Sequence, residues 1–118
     1  PGGGRRATSD AASALAEVAN FQEAAATQKI SAEAAMLYQT ASAAFASWQA
    51  SRNAAERLTQ AADMTARAYL LGEGSLNELL AARRLANEAR LSARLMQLDA
   101  LELHYRLQLD AHRLWAMD

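Results

Sequence analysis

The residues of this chain that could carry chemistry are few and scattered. His104 and His112 stand eight residues apart, a rotation of ~80° on a helix, and neither belongs to the Glu-x-x-His pairing that builds metal sites between helices. With no cysteine anywhere, thiolate ligands, a thiol nucleophile and disulfides are excluded. The run Gly72-Glu73-Gly74-Ser75 has the small residues of a phosphate-binding loop, but it lacks the lysine such a loop needs and follows no strand. Carboxylates and arginines alternate, as in Glu88, Arg90, Arg94 and Asp99, which reads as solvated helix surface with some pairing one turn apart. No nucleophile is set beside a base, and no carboxylate pair falls in a pocket. The expectation is a protein that is not an enzyme and that uses neither cofactor nor metal.

What must position these residues follows from the helix breakers. Proline occurs only at Pro1, and the five glycines are Gly2, Gly3, Gly4, Gly72 and Gly74, so two long stretches are free of both. Of 31 alanines 23 precede residue 70, and of 17 leucines 14 lie from residue 70 onward. Both types favour helix, and the β-branched aliphatics are limited to Val18 and Ile30, so strands are not expected. The fold class is all-α: a long, coiled-coil-like antiparallel helical hairpin that self-associates into a helical bundle. Its expected parts are a disordered linker edge over 1–6, a helix over 7–71, a turn at 72–75 and a helix over 76–117.

Steps of four and three from Ile30 trace one line through Ala34, Leu37, Ala41, Ala44, Trp48, Ser51, Ala55, Leu58, Ala62, Thr65 and Tyr69. A seven-residue repeat held this long implies a left-handed supercoil with a neighbouring helix. Upstream the phase slips, and Leu15, Val18 or Ala19, Gln22 and Ala26 make a better stripe. The second helix has two apolar lines, Leu91, Leu95, Leu98, Tyr105 and Leu109 on one and Met96, Leu103, Leu107 and Leu114 on the other. They are rotated by ~120°, which calls for neighbours on both sides. Tyr38, Phe45, Trp48, Tyr105 and Trp115 are spaced as helix-packing residues rather than as a ligand pocket. Folded about the turn, Leu76–Asp118 should cover roughly Lys29–Leu70 and leave an N-terminal overhang bare.

Charge is balanced, with a formal net of -1. No basic face exists for nucleic acid, nor the Lys/Arg-rich side of a helix that lies on anionic lipid. No apolar run reaches the ~18 residues of a membrane span, and Pro1–Arg6 has no signal-peptide core. The Pro-Gly-Gly-Gly start reads as a linker edge, and the chain as a piece cut from a longer one.

The turn carries the specific signal. Gly72 can take the left-handed conformation that ends a helix, and Ser75 can cap the next, with Glu78 three residues on completing a capping box. At this point the chain resembles the outer membrane factor family, the TolC-like exit ducts of bacterial efflux pumps and type I secretion systems. The match is Tyr-x-x-Gly-x-x-Ser/Thr-x-x-Asp/Glu-Leu/Val-Leu, here Tyr69, Gly72, Ser75, Glu78, Leu79 and Leu80. A long Ala/Leu helix with scattered arginines and a closing Leu-rich stretch, Leu107 to Trp115, follows as in the family, and the Ala/Glu/Gln-rich helix before the turn is also similar.

That resemblance implies a function. Three chains, each with two such hairpins, would form a helical barrel across the periplasm of a Gram-negative bacterium, with the turn at its tip. The tip would dock a periplasmic adaptor, or membrane fusion protein, that links it to an inner-membrane pump. Tyr69, Gly72, Glu73, Gly74, Ser75, Leu76 and Leu79 would make the docking tip, and Glu78 would face the constricted pore. Ala81 stands where the family often has a second carboxylate. Segments Leu79–Arg84 and Asp110–Trp115 lean the resemblance toward exporters of cations or heavy metals. Two other readings stand beside it: an oligomerising coiled-coil scaffold whose turn only connects, and a reversible lipid-binding bundle.

Overall fold

The computed structural model describes residues 2–117, except the side chains of Gly2, Leu114 and Met117. It consists of α1, Gly2–Leu70, and α2, Leu76–Met117. The two arms run antiparallel and pack on each other along one line, giving a rod with extents of 107 × 19 × 13 Å. Its length is that of α1 alone, since 69 residues at ~1.5 Å each make ~100 Å. The all-α hairpin is therefore the fold.

Two boundaries differ from the expected ones. The helix extends back to Gly2, where a linker was expected; once a helix is nucleated, each further residue adds a hydrogen bond, so propagation continues over poor formers. Pro1 lies outside the described residues. At the other end α1 stops at Leu70 rather than residue 71, because Gly72, with φ of 76°, makes Leu71 the last half-helical position. No break occurs at the phase slip near Thr27–Ser31, where the helix is continuous.

On α1 the expected seam is the real one. From Ile30 to Thr65 every residue on that line is at least partly buried, and every described residue before Ile30 is exposed. Thr65 satisfies its hydroxyl by donating to the Ala61 carbonyl at 2.8 Å, which lets a polar side chain sit beside the seam. The line then passes through Ala68 instead of Tyr69, because the chain turns away to close the hairpin.

On α2 the packing line follows the expected ones only in part: Leu103 and Leu107 of the second line lie in it, Met96 is exposed, and the side chain of Leu114 lies outside the described residues. The buried residues are Ala86, Ala93 and Ala100, with Leu79, Ala82, Ala89, Leu103 and Leu107 partly buried around them. Leu91, Leu95, Leu98, Tyr105 and Leu109 are all exposed. Counting outward from the turn, Ala62 comes level with Ala86, Ala55 with Ala93 and Trp48 with Ala100. Among the described residues the buried core is thus five alanines, Ala55, Ala62, Ala86, Ala93 and Ala100. Small facing residues let the backbones approach closely, and the flanking large groups Leu37, Trp48, Leu58 and Leu103 supply most of the apolar area removed from water.

Candidate functional site

The turn is built from backbone hydrogen bonds that local sequence dictates. Gly72 N–H donates to the Tyr69 carbonyl at 3.0 Å and Glu73 N–H to the Ala68 carbonyl at 2.8 Å. With the positive φ at Gly72, these two bonds form the Schellman arrangement that satisfies the last carbonyls of a helix. Ser75 starts α2: its Oγ accepts the Glu78 N–H at 3.1 Å, while its carbonyl accepts the Leu79 N–H at 3.2 Å. One end of a helix and the start of the next are therefore sealed within five residues.

Half of the expected capping box is missing. Among the described residues no hydrogen bond runs from the Ser75 N–H back to the Glu78 carboxylate. Glu78 instead leans over Gly74, its Oε2 3.5 Å from where a Cβ on that glycine would stand. This frees the carboxylate, which remains exposed at the end of the rod.

The other tip residues divide by what they touch. Leu79 and Gly74 are half-buried against α1, whereas Tyr69, Gly72, Glu73, Ser75 and Leu76 are exposed. Three neighbours were not assigned to the tip from sequence, Leu80 having been read only as part of the turn motif. Leu70 is 81% exposed, Leu71 73% and Leu80 55%, and with Leu76 they surround the turn with unburied aliphatic surface. The signal was present: Leu70 and Leu71 stand just before the turn glycine but fall off the heptad line, which runs from Thr65 to Ala68, so nothing in the hairpin covers them.

Protein-family models, curated proteins and solved structures give no match to this chain.

The remaining chemical groups are dispersed. No three His, Asp or Glu side chains among the described residues are grouped to hold a metal ion. His104 packs edge-to-face on its neighbour Tyr105, at 6.0 Å between centroids. Among the described residues the ion pairs reduce to Arg113 with Asp110 at 3.7 Å, fewer than the alternating charges suggested.

The aromatics split as well. Phe45 and Trp48 meet edge-to-face at 5.4 Å and with Tyr38 line an open groove shared with Leu101 and His104, while the Arg52 guanidinium lies 5.4 Å over the Trp48 ring. Tyr105 and Trp115, by contrast, project into solvent. No helix among the described residues is long and apolar enough to cross a membrane.

Proposed function

We propose that this chain is the periplasmic hairpin of an outer membrane efflux protein, forming part of the wall of an export duct and docking a periplasmic adaptor through its turn. The observation that supports this reading best is the tip itself. A narrow rod ends in a sealed, glycine-containing reversal ringed by Leu70, Leu71, Leu76 and Leu80, all exposed. Backbone at Gly72 and Gly74 admits close approach by another chain, and the leucines offer apolar area that is removed from water only when a partner covers it.

On this reading the work of the molecule is mechanical and electrostatic, with no catalysis. A seam of alanines interdigitates weakly, so the two arms can slide along each other with little repacking, as shear motions require. Glu78, released from its cap, is available to face a pore and favour cations there. The duct would be a homo-oligomer, a trimer as in the family, standing in the periplasm and reaching an inner-membrane pump through the adaptor.

The test is photocrosslinking in the bacterium's own cells. A crosslinking residue at Glu73 is expected to capture one adaptor protein, and the same residue at Asn53 on the shaft is expected to capture none. Leu71→Asp and Leu76→Asp, both at exposed positions, should weaken tip contact by roughly tenfold each, as removal of an interface leucine does, and reduce export with helicity intact. Unaltered export with both changes, and no adaptor captured from Glu73, would refute the docking role. A second reading, an oligomerising scaffold, is favoured by the bare outer face of α2; it expects tip variants to change nothing and face variants to abolish assembly.

A further inference from the structure

The side of α2 turned away from α1 carries a second heptad line. Leu91, Leu95, Leu98, Tyr105 and Leu109 recur in steps of four, three, seven and four, and each is between 59% and 65% exposed. At ~100° per residue they centre opposite the buried Ala86, Ala93 and Ala100, so no part of the hairpin reaches them. The strip is ~27 Å long. Five large side chains in register on one face are the pattern of a coiled-coil seam without its other helix.

We propose that the missing helix is α2 of a second copy of this chain, packed antiparallel on the same face. The line is self-complementary when reversed about its own midpoint. Leu91 then meets the second copy's Leu109, Leu95 its Tyr105, and Leu98 its Glu102. Asp99 on the flank meets the other copy's Arg106, and symmetry makes this pair twice; on the opposite flank Leu101, itself exposed, meets its own counterpart.

Glu102 decides the direction. A parallel pair would stack Glu102 on Glu102 in one layer, whereas the antiparallel pair sets each against a leucine and lets its carboxylate extend outward beside Arg106, one turn along its own helix. This contact sets the two turns at opposite ends of the pair, whereas a duct has all its turns at one end, so it belongs with the scaffold reading and is tested apart from docking at the tip.

The full chain has no cysteine, so introduced ones report cleanly. Sedimentation should show a concentration-dependent dimer. Leu95→Asp should raise its dissociation constant at least tenfold with helicity unchanged, because Leu95 is exposed on the face turned away from α1, and Glu102→Leu should lower it at least tenfold. Arg94→Cys and Gln108→Cys should form a disulfide when mixed and neither when alone. The proposal is overturned by a chain that stays monomeric, by a dimer indifferent to Leu95→Asp, by Arg94→Cys cross-linking to itself, which means parallel pairing, or by Leu98→Cys joining Ala50→Cys, which puts the face on a neighbour's α1.

Discussion

Replacing Ala55 and Ala93 together with leucine is expected to pry the two arms apart and produce the largest loss of stability of any exchange among aliphatic residues in this chain. The two residues lie level on facing helices, both buried, at a separation that alanines permit and leucines do not. Overpacking costs ~1–3 kcal/mol at each position, and because the two sites touch, their effects should combine more than additively. Urea unfolding followed by circular dichroism measures it. The same pair of changes at Ala43 and Ala46, on the exposed side of α1, should leave stability within ~0.5 kcal/mol of the parent. Equal losses at both pairs would mean that the alanine seam does not hold the hairpin.

The second large effect separates two glycines that look alike in sequence. Gly72 has φ of 76° with open space around it, so a methyl group there meets no atom but forces a left-handed backbone, at ~1–2 kcal/mol. Gly74 has an ordinary φ, and an added Cβ would stand 3.5 Å from Glu78 Oε2 and 3.6 Å from the Ala68 Cβ, which is normal contact. Gly72→Ala is therefore expected to destabilise by ~1–2 kcal/mol, while Gly74→Ala is neutral or stabilises by ~0.4–1 kcal/mol through the unfolded state. Gly72→Asn should fall between, since asparagine tolerates this conformation. Thermal unfolding of the three variants under one buffer condition decides the order.

These two cases also show which parts of the molecule were legible beforehand. The seam of α1 could be read because an unbroken heptad line leaves little freedom in phase, and Trp48 and Leu58 mark it among the alanines. That of α2 was legible only in part: Leu103 and Leu107 belong to it, but its centre is alanine, and weight naturally falls on large residues such as Leu91, Leu95 and Leu98, which point outward. The clue lay in the partner: when one helix presents alanines, close approach requires small residues opposite, and only Ala86, Ala93 and Ala100 lie at the right levels. Tyr69 was assigned to the line by spacing alone, and closure of the turn moved Ala68 into its place.

At the tip, the reversal was readable from glycine and serine chemistry at fixed offsets, since each residue there acts on its own backbone. What spacing could not supply was the orientation of Glu78. A capping carboxylate can turn back to the cap N–H or lean over the loop, and a glycine at position 74 leaves it room to lean. Leu70 and Leu71 escaped notice for the opposite reason, being common helix residues whose exposure depends on where the partner helix ends.

Everything proposed for the tip requires that the chain reverse at Gly72–Ser75 and bring its arms together. Nitroxide labels on cysteines introduced at Asn53 and Arg94, both exposed, measure this directly when the labelled chain is diluted in unlabelled chain. Helix axes ~8–10 Å apart place the two labels within ~30 Å of each other, whereas a continuous helix would separate them by ~60 Å. A single distance population below ~30 Å is the expected result; a population near ~60 Å would contradict the hairpin and the docking role built on it.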